Sequence, residues 1–289
     1  MWTEKVELPF RYDFSFVLKR LEEDPLIHLH MEEEWVDVPL VMEDESREVA
    51  RVESIGTIET PAFLITGETE KETVLSKIHD IFIWNFNMDR IEEHFKGSSL
   101  ENLQNEFPAT PVVKSFHLYD ALMRVIIHQQ LNMAFAYRLS TRFVENFGEQ
   151  WKGVWFYPSP KTVASLSYED LTALQFSRRK AEYVIDTSRK IANGELDLYE
   201  FTSLSEEETI DRLTEIRGIG KWTAQNWQVT GLGRADLFPE ADVGIQNAWK
   251  HYFGLEAKPA RSEMIEESRE WAPYRSYATL LLWRSLMQE

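Results

Sequence analysis

Apolar positions change their period along this chain. In the first third they fall in short runs, Leu26 to Met31 and Ala62 to Ile65, with Val49 to Ile55 between them and charged turns around all three. That pattern predicts strands of an antiparallel sheet. After Gly67 the spacing lengthens: Val74, Ile78 and Ile81 stand at i, i+4 and i+7, predicting a helix that continues through Trp84 and Phe86. Asn105-Glu-Phe-Pro-Ala-Thr-Pro111 carries two prolines in four residues and marks a boundary. Beyond it nearly every segment reads as helix. Leu118, Leu122, Val125 and Ile126 make one stripe, and Ala181, Val184, Ser188 and Ile191 a second that Asn193-Gly194 stops. Ile210 and Leu213 belong to a third, opened by Ser205 with Glu208 three residues on, as in a capping box. The expected fold is α+β: an N-terminal α/β domain with an antiparallel sheet, residues 1–110, then an all-helical domain, residues 111–289.

Composition narrows the chemistry. The 289 residues are 43% hydrophobic, enough to bury a core. There is no cysteine, which removes disulfides, thiolate-bound zinc, iron–sulfur clusters and thiol nucleophiles. No apolar run approaches the roughly 18 residues of a membrane span, and Met1 to Phe14 has no signal-peptide core. A soluble intracellular protein is expected. The net charge of −18 is uneven: residues 1–110 hold 25 acidic and 10 basic side chains, a net of −15. Such acidity argues against polyanion partners, whose binding depends on Lys and Arg.

One segment answers part of that objection. In Leu213-Thr-Glu-Ile-Arg-Gly-Ile-Gly-Lys-Trp-Thr-Ala-Gln-Asn-Trp227 a helix ends at Arg217-Gly218-Ile219-Gly220 and another begins at once. The second helix aims free amides outward, which suits a phosphate and needs no basic side chain. Taken alone, the two glycines are equally a helix C-cap and a tight turn. Twenty residues after Trp222, Asp242 precedes a further helix opening at Val243-Gly-Ile245. It reads as an N-cap, and as an anion able to stabilise a developing cation. On periodicity alone Trp222 and Trp283 read as core side chains.

The form Ile-x-Gly-Ile-Gly-x-Trp-Thr-Ala over residues 216–224, followed by Pro-x-x-Asp-x-x-Ile over 239–245, resembles the helix–hairpin–helix DNA glycosylases, most of all the bacterial 3-methyladenine DNA glycosylase II group. Three further stretches match in order and spacing: Val125-Ile-Ile-His-Gln-Gln-Leu-Asn-Met-Ala-Phe-Ala136, Ser177-Arg-Arg-Lys-Ala181, and Trp271-Ala-Pro-Tyr-Arg-Ser-Tyr-Ala-Thr-Leu-Leu-Leu-Trp283. The first third matches only by type.

The resemblance implies excision of alkylated purines from duplex DNA by N-glycosidic hydrolysis, with Asp242 catalytic and base flipping before the chemistry. Bifunctional relatives carry a Schiff-base lysine where this chain has Trp222, so it implies a monofunctional enzyme. Arg217, Gly218, Ile219, Gly220 and Lys221 would meet the DNA backbone, with Lys221 a phosphate contact or a solvated charge. Trp222 and Trp283 would line the base pocket, together with Asn226 and Val243, which replace aromatic residues of the group. Gln130, with Leu131 beside it, would be the wedge that fills the emptied stack. Backbone carbonyls of Thr214, Ile216 and Ile219 would hold a sodium or potassium ion, and no other cofactor is implied. The implied partner is damaged double-stranded DNA, met by a monomer in the cytoplasm, at the nucleoid. Three alternatives stay open: a lesion binder that no longer catalyses, a glycosylase for deaminated or oxidised purines, and an RNA or protein interaction module. His28-x-His30 with Glu32-Glu-Glu34 reads as a charged edge strand rather than a metal site. The acidic run Glu43 to Glu48 reads as a solvated loop.

Overall fold

The computed structural model describes residues 1–42 and 44–288, so Glu43, the first residue of that acidic run, lies outside the described residues. Five strands form one antiparallel sheet: β1 (Trp2–Glu7), β2 (His28–His30), β3 (Trp35–Val41), β4 (Arg47–Ser54) and β5 (Ala62–Gly67), in the order β1-β5-β4-β3-β2. Period-2 alternation sets its inner face, with Val36 and Val38 of β3 opposite Val52 and Ala50 of β4, and Phe63 and Ile65 on β5, all buried. The predicted run Leu26 to Met31 shortens to β2, which occupies the sheet edge as expected. His28 there pairs with Asp37 at 2.8 Å.

Helices α1 (Phe14–Leu21), α2 (Lys71–Ile81), α3 (Asp89–Phe95) and α4 (Glu101–Glu106) complete the first third. The prediction that α2 runs on through Trp84 and Phe86 is corrected: the helix stops at Ile81, and Ile83 adopts φ +55°, outside the right-handed region. Trp84 instead stacks on Phe63, with ring centroids 4.4 Å apart.

The remainder is helical: α5 (Leu118–His128), α6 (Met133–Phe147), α7 (Pro160–Ala164), α8 (Tyr168–Ala173), α9 (Arg178–Ala192), α10 (Glu206–Thr214), α11 (Lys221–Trp227), α12 (Val243–Tyr252), α13 (Arg261–Glu267) and α14 (Arg275–Ser285). One short hairpin, β6 (Glu149–Trp151) and β7 (Val154–Phe156), interrupts them where only helix was expected, and β7 lies beside β3. The predicted caps are in place. Ser205 and Glu208 form the capping box of α10, and Gly194 at φ +73° follows the end of α9.

Two apolar cores organise these elements, and the first does not follow sequence order. The first gathers the sheet and α1–α4, then takes in Phe238, Ile245, Trp249, Trp271 and Leu281 from α12, α14 and their connections. The second joins α5 to α11, with Leu122, Phe143, Val184, Leu213 and Trp227 inside it. The C-terminal helix is tied to the sheet side by Arg284, whose guanidinium donates to Asp13 at 2.7 Å and to Thr110 at 2.6 Å. Among the described residues no helix is long and apolar enough to cross a membrane.

Candidate active site

The site lies where the two cores meet. On the side of the second core, α10 ends, the chain turns through Gly218-Ile219-Gly220, and α11 begins. Ile219 is buried and anchors the turn. Gly218 adopts φ +95°, and a Cβ there would lie 2.3 Å from the Tyr183 ring, so both the conformation and the space demand glycine. Gly220 has a negative φ, and a Cβ on it would meet nothing within 4 Å. It caps the N-terminus of α11 with open space in front. The two basic side chains of the turn already hold acids: Arg217 pairs with Glu182, and Lys221 Nζ lies 2.8 Å from Glu240 Oε1.

On the side of the first core, Asp242 caps α12. Its Oδ1 accepts from Ile245 N at 2.9 Å. Its Oδ2 accepts from Nε1 of Trp222, the second residue of α11, at 2.8 Å. Both oxygens are thereby fixed from opposite sides of the seam, and the half-buried carboxylate keeps a second lone pair on each. A Cβ on Gly244 would lie 3.0 Å from both Asp242 Oδ1 and Trp283 Nε1, which brings Trp283 against the first turn of α12. Trp222, Asp242 and Trp283 thus converge, across 62 residues of sequence that run from position 222 to 283. The sequence treats Trp222 only as a wall, and its role as a donor to Asp242 has no local signal.

The other expected pocket residues stand further out. Asn226 turns its amide back to donate to Trp222 O at 2.9 Å within α11. Val243 is 60% exposed. Across from α11, Gln130 is exposed at φ +57° in the turn between α5 and α6, and Leu131 beside it packs on the second core. His128 bonds Ser140 Oγ at 2.7 Å, and burial, reinforced by Arg124 and Lys180, pushes its imidazole down to about 3. A side chain so held has no proton to offer at neutral pH. Two polar residues of this face escape sequence reasoning: Gln129, which reaches the hairpin, and Lys180, which reaches the end of α5. Both lie in stretches that match the family pattern, but nothing in spacing shows which members point inward.

Among the described residues no group of three or more His, Asp or Glu side chains is placed to hold a metal ion. Of the three hairpin carbonyls, that of Ile216 accepts from Ile219 N at 3.0 Å.

A family model described as the HhH-GPD superfamily base excision DNA repair protein matches residues 123–274. The protein YfjP of Bacillus subtilis (strain 168) is 47% identical over 99% of this chain and 100% of its own length. A DNA-3-methyladenine glycosylase of the same strain is 32% identical, over 75% of this chain and 73% of its own. In three dimensions, the 3-methyladenine DNA-glycosylase from Archaeoglobus fulgidus matches with a TM-score of 0.85 at 21% identity, covering 98% of this chain and 97% of that one, a likeness of fold.

Proposed function

Because the chain belongs to the HhH-GPD superfamily of base excision DNA repair proteins, we propose that it excises alkylated purines of the 3-methyladenine type from duplex DNA. At the coarser level it is a DNA glycosylase of base excision repair, a hydrolytic N-glycosylase resembling 3-methyladenine DNA glycosylase II. The observation that carries the finer reading is the carboxylate of Asp242, oriented by Trp222 Nε1 and Ile245 N beside Trp283.

The damaged nucleotide leaves the stack and enters the cleft between α11, α12 and α14. Trp222 and Trp283 face its base, which as an alkylated purine carries positive charge that aromatic faces attract. As the N-glycosidic bond lengthens, positive charge moves to the sugar and the base departs neutral, without a proton from the enzyme. Asp242 stabilises the oxocarbenium-like sugar, orients the water that attacks it and takes the proton that this water gives up as its C–O bond forms, leaving an abasic site. A single carboxylate suffices because the leaving group is already activated.

The hairpin from Arg217 to Lys221 grips the backbone with its amides, and Gln130 with Leu131 fills the vacated stack. Asn226 and Val243 form the pocket rim. Thr214, Ile216 and Ile219 carbonyls would hold a sodium or potassium ion that steadies the turn, and the Ile216 oxygen keeps one lone pair for it. The enzyme acts as a monomer on damaged double-stranded DNA in the cytoplasm. Residues 111–289 form its glycosylase unit and 1–110 its N-terminal unit.

The test is to incubate the protein with methylated duplex DNA and quantify free 3-methyladenine and 7-methylguanine, with Asp242→Asn in parallel. Release by the wild type and a loss of at least about 100-fold in the variant, with DNA binding retained, is expected. Near-normal release by Asp242→Asn would remove the carboxylate from its role.

A further inference from the structure

The turn that carries Gln130 is held by two side chains for which the hydrolytic step has no use. Gln129 Nε2 donates to Gly218 O at 2.9 Å and to Thr223 Oγ1 at 2.7 Å, joining the α5–α6 turn to both sides of the hairpin. From α9, Lys180 Nζ donates to Ile126 O at 2.9 Å and to Gln129 O at 3.1 Å. Lys180 is only 9% exposed, and burial pushes its ammonium down to about 8. An apolar side chain would pack there without that desolvation cost but would hold neither carbonyl, so what the ammonium adds is placement. What it places is specific. Ile126 O belongs to the last turn of α5, and Gln129 O belongs to the peptide that leads into Gln130 at φ +57°. A non-glycine residue keeps that conformation where its surroundings over-determine it.

We propose that Lys180 and Gln129 are positioning residues for base extrusion. They lock the Gln130 turn to the hairpin, so that the wedge and the grip on the DNA backbone advance into the duplex as one body. The proposal rests on reading Gln130 as the wedge. Without the lock the turn relaxes and the wedge enters late, while the pocket and Asp242, which lie across the hairpin, keep their geometry.

Two substrates carrying the same 7-methylguanine separate these roles: a fully paired duplex, and one whose lesion lies in an unpaired bubble and needs no extrusion. Single-turnover release is measured for the full-length protein and for Lys180→Met, Gln129→Leu and Gln130→Ala. All three variants are expected to lose about tenfold more rate on the duplex than on the bubble. Equal losses on both substrates for Lys180→Met and Gln129→Leu, with Gln130→Ala still selective for the duplex, would overturn the proposal and leave the wedge standing. No duplex-selective loss in Gln130→Ala would overturn both. If Lys180→Met fails to fold, Gln129→Leu decides by the same comparison.

Discussion

Gly218 and Gly220 look alike in the sequence and differ in what surrounds them. By motif alone, Gly218→Val is expected to weaken DNA binding more than fold stability. The structure divides them: Gly218 combines φ +95° with the Tyr183 ring against its Cα, whereas Gly220 faces open space. Gly218→Val should therefore cost about 2 kcal/mol or more of fold stability. Gly220→Val should cost about 1 kcal/mol or less yet weaken DNA binding, because the bulk stands where a backbone phosphate would approach. Urea midpoints and duplex affinities measured side by side check the division, and equal midpoints would refute it. Trp222 sets a second expectation. An indole that donates to Asp242 offers no amine, so borohydride should trap no covalent adduct with DNA. A trapped species would point to another nucleophile. Asp242 as an N-cap was legible from its place before Val243-Gly-Ile245, but its bond to Trp222 was not, because contacts twenty residues apart leave no local pattern.

Among the elements, α5 gathers the groups most sensitive to acid. His117, at its N-cap, bonds Pro39 O at 3.1 Å, and burial with Lys77 nearby pushes it down to about 4. His128, its last residue, lies at about 3, while burial against the pull of Arg124 raises Asp120 to about 7. The signs oppose. Each histidine contributes stability that is full above its ordinary value near 6.5 and lost as pH falls toward 4 and 3. Asp120 works the other way, favouring the fold below its ordinary value near 4 and losing that as pH rises through about 7. Two histidines outweigh one carboxylate, so stability should fall by a few kcal/mol between pH 6.5 and 4. Urea titrations at pH 7 and pH 4.5 measure it, and His128→Gln should flatten the decline. The helices α5, α9 and α10 were legible because an apolar stripe at period 3.6 survives whatever packs on it. The end of α2 was not, because Ile83 takes its conformation from tertiary packing around Trp84. Strand β1 went unseen for a related reason: alternate charged residues dilute its apolar face, and it finds its partner β5 some sixty residues away.

At the scale of the molecule, the proline-rich stretch ending at Pro111 is a boundary in the chain, while the packing crosses it. Phe238 packs edge-on against Trp249 and Trp271 inside the core that also holds the sheet, and the two tryptophans lie tilted on each other with centroids 4.9 Å apart. The acidic N-terminal third thereby supports the half of the site that contains Asp242 and Trp283. Residues 111–289 expressed alone should lack cooperative unfolding and release no base, although α5 to α11 keep their own core. A cooperative transition with retained release would show that the helical part needs no such support. One feature of the hairpin also bears on how a protein of net charge −18 lives among DNA. In the proposed complex Arg217 and Lys221 would meet the duplex already holding Glu182 and Glu240. A phosphate must compete for each, so few counterions are released and affinity depends only shallowly on salt. The result expected of that binding mode is a short residence on sound base pairs, with more of the enzyme's time spent searching.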